Sequence, residues 1–125
     1  MNLVLYGDPA IKKNSQEIRI NWRTGKRFIS QSEKYKRYER DCLMQITGAY
    51  KKCIDSPINL KCMYYRKYKY RVDLNNLLSA TCDILVAGGV LKDDNCKIVV
   101  SQDGSRVYFD KENPRVEIEI SEAEE

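Results

Sequence analysis

Asn2 to Tyr6 is a short apolar run stopped by Gly7-Asp8-Pro9, which predicts a strand closed by a turn. Ile11-Lys12-Lys13-Asn14-Ser15 reads as a polar loop. Glu17 to Trp22 then alternates charged residues with Ile18, Ile20 and Trp22, the pattern of a half-buried strand. After the turn at Thr24-Gly25-Lys26, Arg27-Phe28-Ile29 predicts a short returning strand. Ser30 or Ser32 can cap a helix expected from about Glu33 to Lys52. Its stripe is Tyr35, Tyr38, Cys42, Ile46 and Ala49, recurring every three or four residues.

Ile58 to Lys69 alternates again, with Leu60, Cys62 and Tyr64 on one side and Lys61, Met63 and Tyr65 on the other. Leu74 to Ala87 predicts a second helix whose core stripe is Leu74, Leu77, Leu78, Thr81 and Leu85, ended by Gly88-Gly89. Cys96–Ser101 and Val107–Phe109 flank Asp103-Gly104, a hairpin signal. Val116, Ile118 and Ile120 alternate with glutamates in a last strand with one wet face. These elements predict an α+β fold: a small single domain with a mixed or antiparallel β-sheet covered by two helices. The expected domain covers residues 1–121, and residues 122–125 form an acidic C-terminal tail.

Charge divides the chain unevenly. Residues 1–72 hold 17 Lys+Arg against 6 Asp+Glu, a balance of +11, while residues 73–125 hold 5 against 12, a balance of −7; together they give the net +4. A polyanion held by one part and a cation held by the other would satisfy both, and nucleic acid with Mg²⁺ is the simplest such pair. The five cysteines include no CxxC pair and histidine is absent, which argues against a zinc site and removes Ser–His and Cys–His hydrolases. Unpaired thiols and a start too short and too soon charged for a signal peptide point to the cytoplasm. No apolar run approaches the ~20 residues of a membrane helix, so no membrane is expected, and nothing calls for a small-molecule cofactor.

Phosphodiester cleavage without histidine calls for a hard metal held by carboxylates from separate elements. Asp73, at the start of the second helix, and Asp93-Asp94, in the loop before the next strand, are suitable donors. A helix of about 14 residues is roughly 20 Å long, so these carboxylates meet only if Gly88 to Asp94 runs back along it. Alternatively Asp83 faces Asp93 or Asp94. Plain structural roles fit as well: Asp73 is a good N-cap, Asp93-Asp94-Asn95 a polar turn and Asp83 a surface charge. Spacing leaves these open. Candidate DNA contacts are Lys12, Lys13 and Asn14 in the first loop and Arg37 on the first helix. Arg66, Lys67, Lys69 and Arg71, interleaved with Tyr64, Tyr65, Tyr68 and Tyr70, complete the set, aromatics among cations being suited to unstacked bases.

The stretch VDLNNLLSATCDILVAGGVLKDDN resembles the signature of the RusA-type crossover junction endodeoxyribonucleases, small Holliday junction resolvases of bacteria and their prophages. Asp73, Asn76, Leu77, Asp83, Gly89, Val90, Asp93 and Asp94 fall in place with it. The resemblance implies that Asp73 and Asp94 are catalytic, metal-binding carboxylates with Asp93 beside them. It departs at two positions: the second aspartate of the pattern is Asn75, and the catalytic lysine one turn into the helix is Ser79. Asn75 can still ligate Mg²⁺ through its amide oxygen but without charge. Lys92 or Lys97 could replace the missing cation. The implied function is a Mg²⁺-dependent endodeoxyribonuclease, a homodimer that resolves four-way junctions by paired nicks in DNA recombination and repair. One rival is a branched or single-stranded DNA-binding protein of the same fold with weak or no cleavage. Another is an interaction protein with no nucleic-acid role.

Overall fold

The structure, a computed structural model, describes residues 1–12, 16–20, 22–31 and 33–124, with backbone alone for 16–20 and 27–31. The chain runs β1 (Asn2–Tyr6), β2 (Gln16–Ile20), β3 (Arg27–Gln31), α1 (Glu33–Gln45), β4 (Ile58–Arg66), α2 (Leu74–Ala87), β5 (Val99–Ser101), β6 (Arg106–Phe109) and β7 (Arg115–Glu122). Five strands form one sheet in the order β1-β7-β4, with β5 and β6 both pairing with β4, while β2 and β3 form a separate two-stranded antiparallel ribbon. The β1–β7 and β7–β4 pairs are antiparallel and β4 pairs in parallel with β5 and β6. The fold is therefore α+β, as the pattern predicts.

Alternation decides which side of the sheet is covered. Leu3 and Leu5 of β1, Leu60, Cys62 and Tyr64 of β4, and Val116, Ile118 and Ile120 of β7 enter one core together with Tyr35, Tyr38 and Cys42 of α1 and most of α2. Their neighbours Val4, Tyr6, Tyr65 and Glu117 point to the other, uncovered side. The predicted stripe of α2 is buried or half-buried throughout, and Ala80, Cys82 and Ile84 are buried as well. This helix is covered on more than one face, because the chain after Gly88 folds back onto it. Inside that core the Tyr64 hydroxyl and the Thr81 hydroxyl lie 2.7 Å apart, and Thr81 donates to the Leu77 carbonyl, so neither polar group is stranded.

Several expectations are corrected. The first helix stops at Gln45 rather than Lys52 and is followed by a single 3₁₀ turn, Gly48–Tyr50. Thr47 and Gly48 are poor helix formers, and Ile46 still reaches the core from beyond the helix end while Ala49 is exposed. Trp22 lies in the turn after β2, 90% exposed, instead of in the strand. β4 ends at Arg66, not Lys69. Cys96 to Ile98 is a turn, so β5 begins only at Val99. Of the two candidate caps for α1, Ser32 lies outside the described residues.

The Asp103-Gly104 hairpin is also absent: β5 and β6 do not pair with each other but run in the same direction along β4. Asp103-Gly104 is a turn inside one interrupted edge strand, with Gly104 in the left-handed region at φ +87. Side chains replace the missing ladder bonds. Asn59 Oδ1 accepts from the Ser101 hydroxyl and the Asp103 N–H, its Nδ2 donates to the Asp103 carbonyl, and the Ser105 hydroxyl accepts from the Cys62 N–H.

Candidate active site

α2 begins where the β4–α2 loop delivers Asp73. That residue occupies the N-cap position, with extended backbone at φ −83 and ψ 128, and its carbonyl accepts from the Asn76 and Leu77 N–H groups. Its side chain makes no capping hydrogen bond, so the carboxylate is exposed and not spent on the helix. Asn75, Ser79 and Cys82 follow at spacings of four and three, which put them on one face of α2.

Past the helix, Gly89 adopts φ +79, a conformation that a Cβ would strain. Val90 and Leu91 donate back to the Leu85 carbonyl, Lys92 donates to the Ile54 carbonyl, and Cys53 and Ile54 donate to the Gly89 and Val90 carbonyls. These bonds turn the segment back along α2, the path the geometry demands if its carboxylates are to approach the start of the helix. Asp94 thereby lines the same cleft as Asn75, Leu78, Ser79 and Cys82. The strand β5 and the residue after it close the cleft with Val99, Val100, Ser101 and Gln102, leaving a volume of about 420 Å³.

The cleft is electrostatically tense. Asp94 is exposed, and slight desolvation first, then the hydrogen bond with Asp93, and after these the charges of Asp83 and Asp93, hold its carboxyl above the usual carboxylate range. Asp93 moves the other way. Its carboxylate accepts from the Asp94 N–H at 2.7 Å and from Asn95 Nδ2 at 3.2 Å, which hold it low. Asp93 thus works as a turn carboxylate, and Asp94 carries the unrelieved charge. Burial, with Asp94 and Asp83 adding to it, pushes the Cys82 thiol up to about 12. The oxygen donors among the residues that line the cleft are Asp94, Asn75, Ser79, Ser101 and Gln102. Such a set suits a hard divalent cation that keeps part of its water shell. Among the described residues no three His, Cys, Asp or Glu side chains stand together as a ready-made metal cluster. Asp73 is not among the cleft-lining residues.

The basic candidates lie on several elements, and none of those described lines the cleft. Lys12 forms an ion pair with Asp83 at 3.6 Å, bringing the first loop against α2. Lys13 and Asn14 lie outside the described residues. Arg37 is exposed on α1. Arg66 Nη1 donates to the Tyr70 carbonyl at 2.7 Å, and Lys67, Lys69 and Arg71 are exposed on the loop that leads to Asp73. Lys92 is turned to Asp55 at 3.1 Å, and Lys97, exposed, bonds through its N–H to the Asn95 side chain. Neither lysine lines the cleft.

Sequence reasoning missed Cys82, Ser101 and Gln102 as cleft residues. Cys82 was accessible to it, standing three residues after Ser79 on the same helical face. Ser101 and Gln102 were not, because only the parallel seating of β5 on β4 brings them there. No helix among the described residues is long and apolar enough to cross a membrane, and all five cysteines are free thiols.

The family model for endodeoxyribonuclease RusA matches residues 11–121. The chain belongs to that family of DNA endonucleases. A comparison with curated proteins gave no match.

Proposed function

We propose that this chain is a Mg²⁺-dependent endodeoxyribonuclease that binds branched DNA and resolves four-way junctions by paired nicks, in DNA recombination and repair. One observation carries the assignment: Asp94 lines the same cleft as Asn75 and Ser79, although the α2 helix and the returning segment separate them in sequence. In this proposal Asp94 and Asp73 are the catalytic carboxylates, Asn75 assists through its amide oxygen, and Asp93 holds the turn from which Asp94 projects. Asp73, Asp94 and Asn75 would hold the Mg²⁺ ion, which would supply a nucleophile at neutral pH and stabilise charge building on the phosphate.

The chain's own groups do the rest. Asp94, kept tense by Asp83 and Asp93, favours the approach of a cation. The Ser79 hydroxyl can donate a hydrogen bond to a phosphate oxygen where the family pattern has a lysine. It provides direction without charge, so transition-state stabilisation is weaker. Lys12, Arg37, Arg66, Lys67, Lys69 and Arg71 hold the phosphates around the cleft, with Lys13 and Asn14 continuing the first loop. Lys92 and Lys97 are the compensating cations in this reading, although Lys92 is paired with Asp55 and neither lines the cleft. A homodimer fits a nearly twofold junction that needs two cuts, and the free thiols fit a cytoplasmic setting.

A second reading has its own support. The two cleft positions that lack the family's charges, Asn75 and Ser79, both line the cleft one helical turn apart, so the cleft is less charged than the family pattern, which favours a junction or single-strand binder with weak or no cleavage. End-labelled four-way junctions titrated with Mg²⁺ separate the two. Symmetric paired nicks support the nuclease, whereas tight binding without cutting at any Mg²⁺ concentration supports the binder.

A further inference from the structure

Three exposed aromatic rings gather where β4 leads to α2 and β6 ends. Tyr70 is 72% exposed, and Tyr68 and Phe109 are each 45% exposed. The Tyr68 and Tyr70 rings lie 5.6 Å apart, tilted by 42°, so they do not stack on each other face to face. Lys67 Nζ lies 5.4 Å from the Tyr68 ring centre and Lys69 Nζ 5.7 Å from that of Phe109. The loop is anchored at several points. Arg66 bonds the Tyr70 carbonyl, the Asp8 carboxylate accepts from the Lys67 N–H at 3.0 Å, and the Asp110 N–H donates to the Arg66 carbonyl at 2.9 Å. Exposed rings on a tethered loop lose little entropy when a flat partner arrives. By contrast, Tyr65 and Tyr108 on the open sheet face already stack on each other at 5.0 Å, with Arg115 3.9 Å over Tyr65.

We propose that Tyr68, Tyr70 and Phe109 form a stacking site for unpaired nucleobases, with Lys67, Lys69 and Arg71 holding the adjoining phosphates. This rests on the DNA-binding part of the function proposed above and extends it to how a branch is told from a duplex. Bases in an unbroken duplex are already stacked and offer these rings nothing. Bases splayed at a branch or in a single strand offer a free face. The loop that carries Tyr68 and Tyr70 leads directly into Asp73, so a captured base would hold its strand next to the start of α2.

The test is binding in EDTA, where cleavage plays no part, using a junction carrying 2-aminopurine at an unpaired branch position and a duplex of the same sequence. The parent should quench 2-aminopurine on binding. Tyr70→Ala combined with Phe109→Ala should lose about tenfold in affinity for the junction and for single strands, with duplex affinity hardly changed. Tyr70→Phe should retain the preference. Lys67→Gln with Lys69→Gln should instead weaken every DNA and flatten the salt dependence. Circular dichroism checks folding, and Tyr70→Ala alone serves if the double variant is unstable. An unchanged junction-over-duplex ratio in a folded alanine variant overturns the stacking site alone. A parent that binds in EDTA but never cuts the junction once excess Mg²⁺ is added overturns the nuclease reading alone, and one that binds no DNA overturns both.

Discussion

Asp94 is the side chain on which charge and position converge. Because its folded pKa is raised, the stability it contributes is complete below its ordinary carboxylate value and is lost as pH rises through the raised one. At neutral pH ionised Asp94 therefore works slightly against the fold, a cost that a cation bound in the cleft would relieve. Asp93, held low by the Asp94 N–H and the Asn95 side chain, contributes in the opposite sense: its stabilisation fades only as pH falls through its lowered value. Asp94→Asn should leave the thermal midpoint of the metal-free protein at pH 7 unchanged or slightly raised, because Asp94 is exposed and its charge is screened. It should also remove the further rise that Mg²⁺ gives the parent, both read by scanning calorimetry with and without the ion. A Mg²⁺-dependent rise that survives in the variant would take Asp94 out of the metal site. Asn75→Asp restores a charged donor in the same cleft and should lower the Mg²⁺ concentration for half-maximal cleavage about tenfold. A requirement unchanged in a folded variant would separate Asn75 from the ion. The sequence carried much of this, since Asp73, Asn75 and Asp94 sit at fixed distances from a helix whose limits its own pattern defines. What it could not carry was whether Asp73 spends its carboxylate on capping, a matter of one side-chain torsion.

At the level of elements, α2 was legible to the residue because an apolar stripe and a glycine stop agree with each other. A Cβ on Gly88 would stand 2.6 Å from Ile46 Cδ1 and 3.2 Å from the Ile84 carbonyl oxygen, so this stop is also a packing requirement. The β5–β6 segment was misread for an equally physical reason. Asp-Gly favours a tight turn wherever it occurs, but whether the flanking strands then pair depends on a third strand. Here β4 supplies that strand, and the Asn59 side chain supplies the bonds that hold both halves against it. Asn59→Ala should therefore destabilise the protein by about 1–3 kcal/mol, the cost of leaving such groups without partners, measured by urea unfolding. Since β5 forms one wall of the cleft, the same variant should weaken Mg²⁺-dependent cleavage. A variant as stable as the parent would show that the edge strand holds its place without Asn59. The overrun of α1 past Gln45 has a similar origin: helical spacing continues through Ile46 and Ala49, while Thr47-Gly48 breaks the backbone that would have to support it.

For the molecule as a whole, helices cover one side of the sheet, and among the described residues the other side is left open, with Tyr6 54% and Val4 37% exposed beside the Tyr65–Tyr108 stack. An open face and two cuts per junction both favour a pair of chains, so light scattering at micromolar concentration should give twice the 14.6 kDa chain mass. A monomer that still makes paired nicks would contradict this. The segregation of charge along the chain also acquires a spatial meaning, because Lys12 reaches Asp83 and the loop of Arg66 to Arg71 opens directly onto Asp73. Basic and acidic halves thus meet along α2, at Asp83 and at the loop before Asp73. The most direct test of the account is cleavage of an end-labelled four-way junction in Mg²⁺ by the parent, Asp73→Asn and Asp94→Asn, with junction binding and circular dichroism recorded for each. The account predicts paired nicks by the parent alone, and variants that fold and bind the junction as tightly or more tightly, since losing a carboxylate relieves repulsion with phosphate while deleting a metal donor. A well-folded Asp94→Asn protein that cuts the junction as fast as the parent would contradict it.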